Sequence, residues 1–159
     1  MKKSQKIALI ALGIALYTVL SAFVVIPIIN RIKLDLGYIV FGMYLNTFGI
    51  LGSIVGVVGC ILGALLKGDA FPIAWATSQL FIGLCLGYLL PKTDKDYLKI
   101  IYCVVFTFVG IGLIKTVLEV WLFKLPPLLK LGSNSVAFVA DVIPLIIGVL
   151  LNKKIKIVK

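Results

Sequence analysis

A chain of 159 residues that is 62% hydrophobic and only 14% charged, with a mean hydropathy of +1.18, reads as a membrane protein rather than a water-soluble domain. Its apolar runs leave no room for a soluble nucleotide-binding domain, and no phosphate loop of the GxxxxGKS or GxxxxGKT type is present, so the chain is not by itself an ATP-driven pump. Histidine is absent, the three cysteines stand isolated in apolar sequence, and the net charge of +10 clusters beside apolar runs. A metal site, a cofactor and a nucleic-acid partner are therefore not expected.

The amino terminus, MKKSQK, precedes an apolar run from Ile7 to Ile29. That run is too long for a signal peptide and lacks an AxA-like cleavage site, so it predicts a retained membrane span. Ala8, Ala11, Ala15 and Ala22 form a small-residue stripe along it, with AxxxA spacing at Ala11 and Ala15. An outer loop is expected around Ile28–Leu36. The next apolar block, Leu36–Leu66, is long enough for one tilted helix or two short ones. Charge placement decides between them. Lys2, Lys3 and Lys6, the loop lysines Lys92, Lys95 and Lys99, and the tail lysines Lys153, Lys154, Lys156 and Lys159 all read as cytoplasmic signals. Five spans would put the two ends on opposite faces; splitting the second block puts both ends inside. Gly49 and Gly52 can make the turn.

The expected fold is thus an all-α bundle of six transmembrane helices in a single integral membrane domain, residues 1–159, with both termini cytoplasmic. The spans are placed at 7–29, 37–48, 52–66, 72–90, 98–123 and 133–151. Outer turns are expected at KGDAFP and KLPPLLKLGSNS, and Pro144 should kink or loosen the sixth span. The GxxxG pairs Gly52/Gly56, Gly59/Gly63 and Gly83/Gly87 predict close helix packing. Asn46, mid-membrane in the second span, is expected to bond a neighbouring helix.

Ionisable groups inside apolar spans are expensive and tend to mark sites. Descending the fourth span, Trp75 lies ~5 Å and Gln79 ~10 Å below the outer surface, on one face. The fifth span ascends, which sets Glu119 near its outer end and Lys115 one turn deeper on the same face. On the sixth, Asn134 falls at the rim and Asp141 ~10 Å below it. Three helices thus bring polar groups to one outer layer, over which Arg31 and Asp35 of the first outer loop could close. An aromatic platform, an amide and charges of both signs suit a pocket for a small heteroaromatic or zwitterionic solute. The alternative is a structural ion pair, Lys115–Asp141 or Lys115–Glu119, which is a weak source of stability once desolvation is counted.

The order of these features resembles the substrate-binding S components of energy-coupling factor (ECF) transporters, which import vitamins and related micronutrients into bacteria. The resemblance rests on chain size, the six predicted spans, the Ala11–Ala15 stripe, the run FGILGSIVGVVGCILGALL after a short second helix, and the segment FPIAWATSQLFIGLCLGYLLPK. It implies a multi-pass protein of the bacterial plasma membrane that captures a small water-soluble vitamin, precursor or nucleoside-like compound. It also implies partners: a membrane coupling subunit, docked on Ala11 and Ala15, and two cytoplasmic ATPase subunits. The pocket it implies lies between the first outer loop and helices four to six.

An autonomous proton-coupled carrier using Glu119 or Asp141 is the second reading, although no inverted repeat of the usual carrier kind is visible. An enzyme is not expected, since histidine, the GxSxG motif and paired metal carboxylates are all missing and no catalytic residue can be named. The substrate stays open among thiamine precursors and nucleoside-, pyridoxine- and pterin-type molecules.

Overall fold

A computed structural model describes residues 2–29, 32–68 and 72–151. The tail lysines Lys153, Lys154, Lys156 and Lys159, Arg31, and residues 69–71 of the KGDAFP turn lie outside the described residues. Among the described residues, five helical stretches are long and apolar enough to cross a membrane: Lys3–Phe23, Gly37–Lys67, Pro72–Lys92, Asp96–Phe123 and Pro127–Leu151.

Helix α1 spans Lys3–Phe23, ending well before the expected Ile29. The β-branched run Val24, Val25, Ile26 favours extended backbone, and Pro27 both lacks an N–H and disfavours a helical residue before it. The chain instead forms an antiparallel hairpin, β1 (Val25–Ile29) and β2 (Ile32–Asp35), with Val25 opposite Asp35 and an irregularity between Pro27 and Ile29. A bare outer loop was expected there.

The second stretch is not one rod. Helix α2 (Gly37–Phe48) gives way to a 3-10 turn over Gly49–Gly52, and α3 follows from Ser53 to Lys67. On a continuous helix Phe41 and Gly56 would stand ~22 Å apart; here Gly56 lies against the Phe41 ring and Gly52 against the backbone of Tyr44 and Leu45. The two arms therefore run antiparallel. Gly49 makes the reversal at φ 60°, ψ −134°, a conformation open to glycine and strained for other residues.

Helix α4 covers Pro72–Leu89. The next rod is α5 (Asp96–Thr107), a π-helical stretch over Phe108–Lys115, and α6 (Thr116–Phe123). Lys124 leaves it in the left-handed region at φ 51°. Helix α7 then runs Pro127–Leu151 with Pro144 buried inside it. Its start is two turns earlier than expected, because a proline at the first helical position loses no hydrogen bond and already has helical φ. Most of the expected outer loop KLPPLLKLGSNS is helix.

Several glycines sit where helices meet. Gly59 packs on Tyr17 of α1, Gly83 on Ser53, and Gly87 on the backbone of Gly49. Gly42 faces the Leu145 carbonyl and Gly148 faces the Ile39 carbonyl, so α2 and α7 touch backbone to backbone. Tyr17, Tyr38 and Phe41 form an aromatic triangle with centroids 6.2–6.4 Å apart at the centre of the core. Farther along the bundle, Lys99 donates to Asn46 Oδ1 at 2.9 Å, and Asn46 Nδ2 donates to the Val149 carbonyl at 3.2 Å. Asn46 thus bonds neighbouring helices as expected. Lys99 does not lie in a polar loop: it is a buried residue of α5.

Candidate functional site

Helices α4, α6 and α7 and the end of the π-helical stretch bring four of the sequence-predicted residues into contact. Lys115 and Glu119, one turn apart, pair at 3.2 Å with both side chains buried. Lys115 also donates to Asn134 Oδ1, and its amine stands 3.9 Å from the centroid of the Trp75 ring, as a cation over an aromatic face. Asn134 Nδ2 donates to Glu119 Oε2 at 2.9 Å and to Thr116 Oγ1 at 2.9 Å. Lys130, from the first turn of α7, reaches Glu119 Oε2 at 3.6 Å from the more exposed side. The π-helical stretch ends at Lys115 itself, and such stretches often mark functional positions.

Asn134 is not at a rim. It is 2% exposed, because the early start of α7 leaves two helical turns outside it. The expected alternative pair Lys115–Asp141 is not among the ion pairs of the described residues; Lys115 pairs with Glu119 instead.

One turn along α4 from Trp75, and two along α7 from Asn134, a second polar group forms. Gln79 Nε2 donates to the Tyr38 hydroxyl. Gln79 and Asp141 are both buried, and Gln79 Oε1 has no hydrogen-bond partner among the described residues. Tyr38 was missed from the sequence, as were Thr116 and Lys130. Tyr38 looks there like any aromatic of an apolar span, and only its partner from α4 reveals its role.

Asp35 stands apart from these two groups. It accepts from Ser21 Oγ at 2.7 Å and from the Gly37 N–H at 2.8 Å, and Lys67 donates to Ser21 at 3.1 Å. These bonds tie the foot of the β-hairpin to α1, α2 and α3. Burial pushes the Asp35 carboxyl above its ordinary range, while Ser21, Lys67 and the Gly37 N–H offset part of that shift. Arg31 lies outside the described residues. Ala11 and Ala15 are exposed on α1, whereas Tyr17, Thr18 and Ser21 of the same helix are buried.

Chemically, the layer offers an aromatic ring with one face covered by an amine, paired charges of both signs, and amides and hydroxyls held in fixed orientation. Among the described residues no group of histidine, cysteine and acidic side chains could hold a metal ion. The family model described as "ECF-type riboflavin transporter, S component" matches residues 1–156. No curated protein matches the chain. The chain belongs to the S components of ECF-type riboflavin transporters, membrane subunits that bind a small substrate and work with an energy-coupling module.

Proposed function

We propose that this chain captures riboflavin, or a closely related uncharged flavin, in the polar layer built by Trp75, Gln79, Lys115, Glu119, Asn134 and Asp141. It hands the substrate to a coupling subunit driven by two ATPases. The matched family's description supports the substrate class. The observation that carries the site reading is the buried ion pair against the aromatic ring: the Lys115 amine, 3.9 Å from the Trp75 centroid, already has Glu119 at 3.2 Å. A site built for phosphate or carboxylate would present a buried amine without a resident counter-ion. Here the buried amine is already paired, which suits a neutral ring bearing a polyhydroxyl chain. Its hydroxyls can accept from Lys115 and donate to Glu119, while the ring lies on the open face of Trp75.

In this reading α2 and α3 count as two short spans, giving six. Both termini and the 90–95 turn face the cytoplasm of a bacterial cell, in the plasma membrane, because lysines gather there. The chain is one integral membrane domain. Membership in an S-component family favours this over an autonomous proton-coupled carrier.

Flavin fluorescence tests the proposal. Riboflavin added to the detergent-purified protein should be quenched saturably, and its phosphate ester should bind at least tenfold more weakly because its charge would have to be buried beside a lysine that already has Glu119 as partner. Absence of saturable quenching by riboflavin overturns the reading.

Docking is read from the exposed alanines. Ala15→Trp should abolish ATP-dependent uptake by the assembled transporter while riboflavin still binds the isolated subunit, since Ala15 does not face the core. Loss of both would make the stripe an internal packing element.

A further inference from the structure

We infer that Gln79 is a dedicated hydrogen-bond acceptor for a ring N–H of the substrate, its amide oriented by the Tyr38 hydroxyl; this rests on the flavin-binding reading above. An amide has one accepting and one donating end. Gln79 Nε2 donates to the Tyr38 hydroxyl, which commits the donating end of the amide to α2. Its Oε1 is left fully buried and without a donor among the described residues.

Native interiors rarely keep such an orphan, because a buried acceptor that has lost water and gained nothing destabilises the fold. Here the orphan lies one turn along α4 from Trp75, within the layer that already holds the aromatic face and the paired charges. A ligand lying on Trp75 would bring its edge to Oε1. The chemistry that satisfies it is an N–H donor, such as the ring N–H flanked by two carbonyls in riboflavin. An edge carrying only acceptors would meet repulsion. Tyr38 is accordingly a positioning residue and Gln79 a specificity-determining one.

Riboflavin and its derivative methylated on that ring nitrogen test this in a two-by-two comparison. Wild-type protein should prefer riboflavin by roughly ten- to a hundredfold. In Gln79→Met, which keeps length but removes the acceptor, the preference should fall to within about threefold, mainly through weaker riboflavin binding. Tyr38→Phe, which removes one oxygen and frees the amide to turn, should narrow the preference too, and it stands in should Gln79→Met fail to fold. If the methyl group is merely too large for the space, the preference persists in both variants and the inference is overturned. Equal wild-type binding of the two compounds overturns it as well while leaving the flavin reading intact. A wild-type protein that binds neither overturns both.

Discussion

Glu119→Gln is expected to weaken riboflavin binding by roughly ten- to a hundredfold, the equivalent of one charge-assisted hydrogen bond of about 1.5–3 kcal/mol. The same change should also lower the melting temperature of the ligand-free protein. Glu119 is the shared partner of Lys115, Lys130 and Asn134. Neutralising it leaves the buried amine of Lys115 beside Asn134 and the Trp75 face without the counter-ion it pairs with. Removing one member of a buried pair costs about 3–5 kcal/mol in water-soluble proteins because the other charge is stranded. Glutamine keeps an acceptor for Asn134, which places the loss toward the lower end of that range. Calorimetric titration beside an apo melt separates the two roles. A lower melt with unchanged affinity makes the Lys115–Glu119 pair a staple and removes it from the site. A lower melt with lower affinity makes it both.

Gly148→Val is expected to leave little or no folded protein in detergent, where the same change at Gly132 should leave the melt unaltered. A side chain at Gly148 would run into the carbonyl of Ile39, and the reciprocal position, Gly42, faces the carbonyl of Leu145. Backbone cannot swing aside as a flexible side chain can. Relief therefore means prising α2 from α7 along their whole contact. Overpacking a core usually costs about 1–3 kcal/mol when side chains absorb it, and here they cannot. Gly132 has nothing within 4 Å of where its side chain would begin, so it controls for the loss of glycine itself. A Gly148→Val melt close to wild type would show that α2 and α7 can separate without loss of the fold.

Much of the site was legible because it depends on helical spacing. Trp75 and Gln79 share a face of α4, Lys115 and Glu119 a face of the π–α6 junction, and Asn134 and Asp141 stand two turns apart on α7. Those intervals follow from residue numbers alone. Gly49 was legible as a reversal because only glycine tolerates such backbone, and the GxxxG pairs as helix contacts. The remainder turned on partners far away in sequence. Tyr38 is one more aromatic in an apolar run until α4 brings Gln79 to it. Lys99 looks like a loop lysine until Asn46, itself bonded to the Val149 carbonyl, is seen to accept from it. The diproline at Pro126–Pro127 reads equally as a loop or as the start of α7, and β1 and β2 were hidden because a β-branched apolar run also suits a membrane span.

The backbone contact of α2 with α7 and the π-helical stretch leading into Lys115 give the two sides of the site unequal stiffness. Tyr38 and Asp141 are mounted on two helices locked through Gly42 and Gly148, so that side is a fixed anvil. Lys115 sits at the end of the π-helical stretch, where the rod departs from the α-helical hydrogen-bond pattern. In the proposed site a substrate would therefore rest between an unyielding surface on one side and, on the other, an amine carried at the break in a helix.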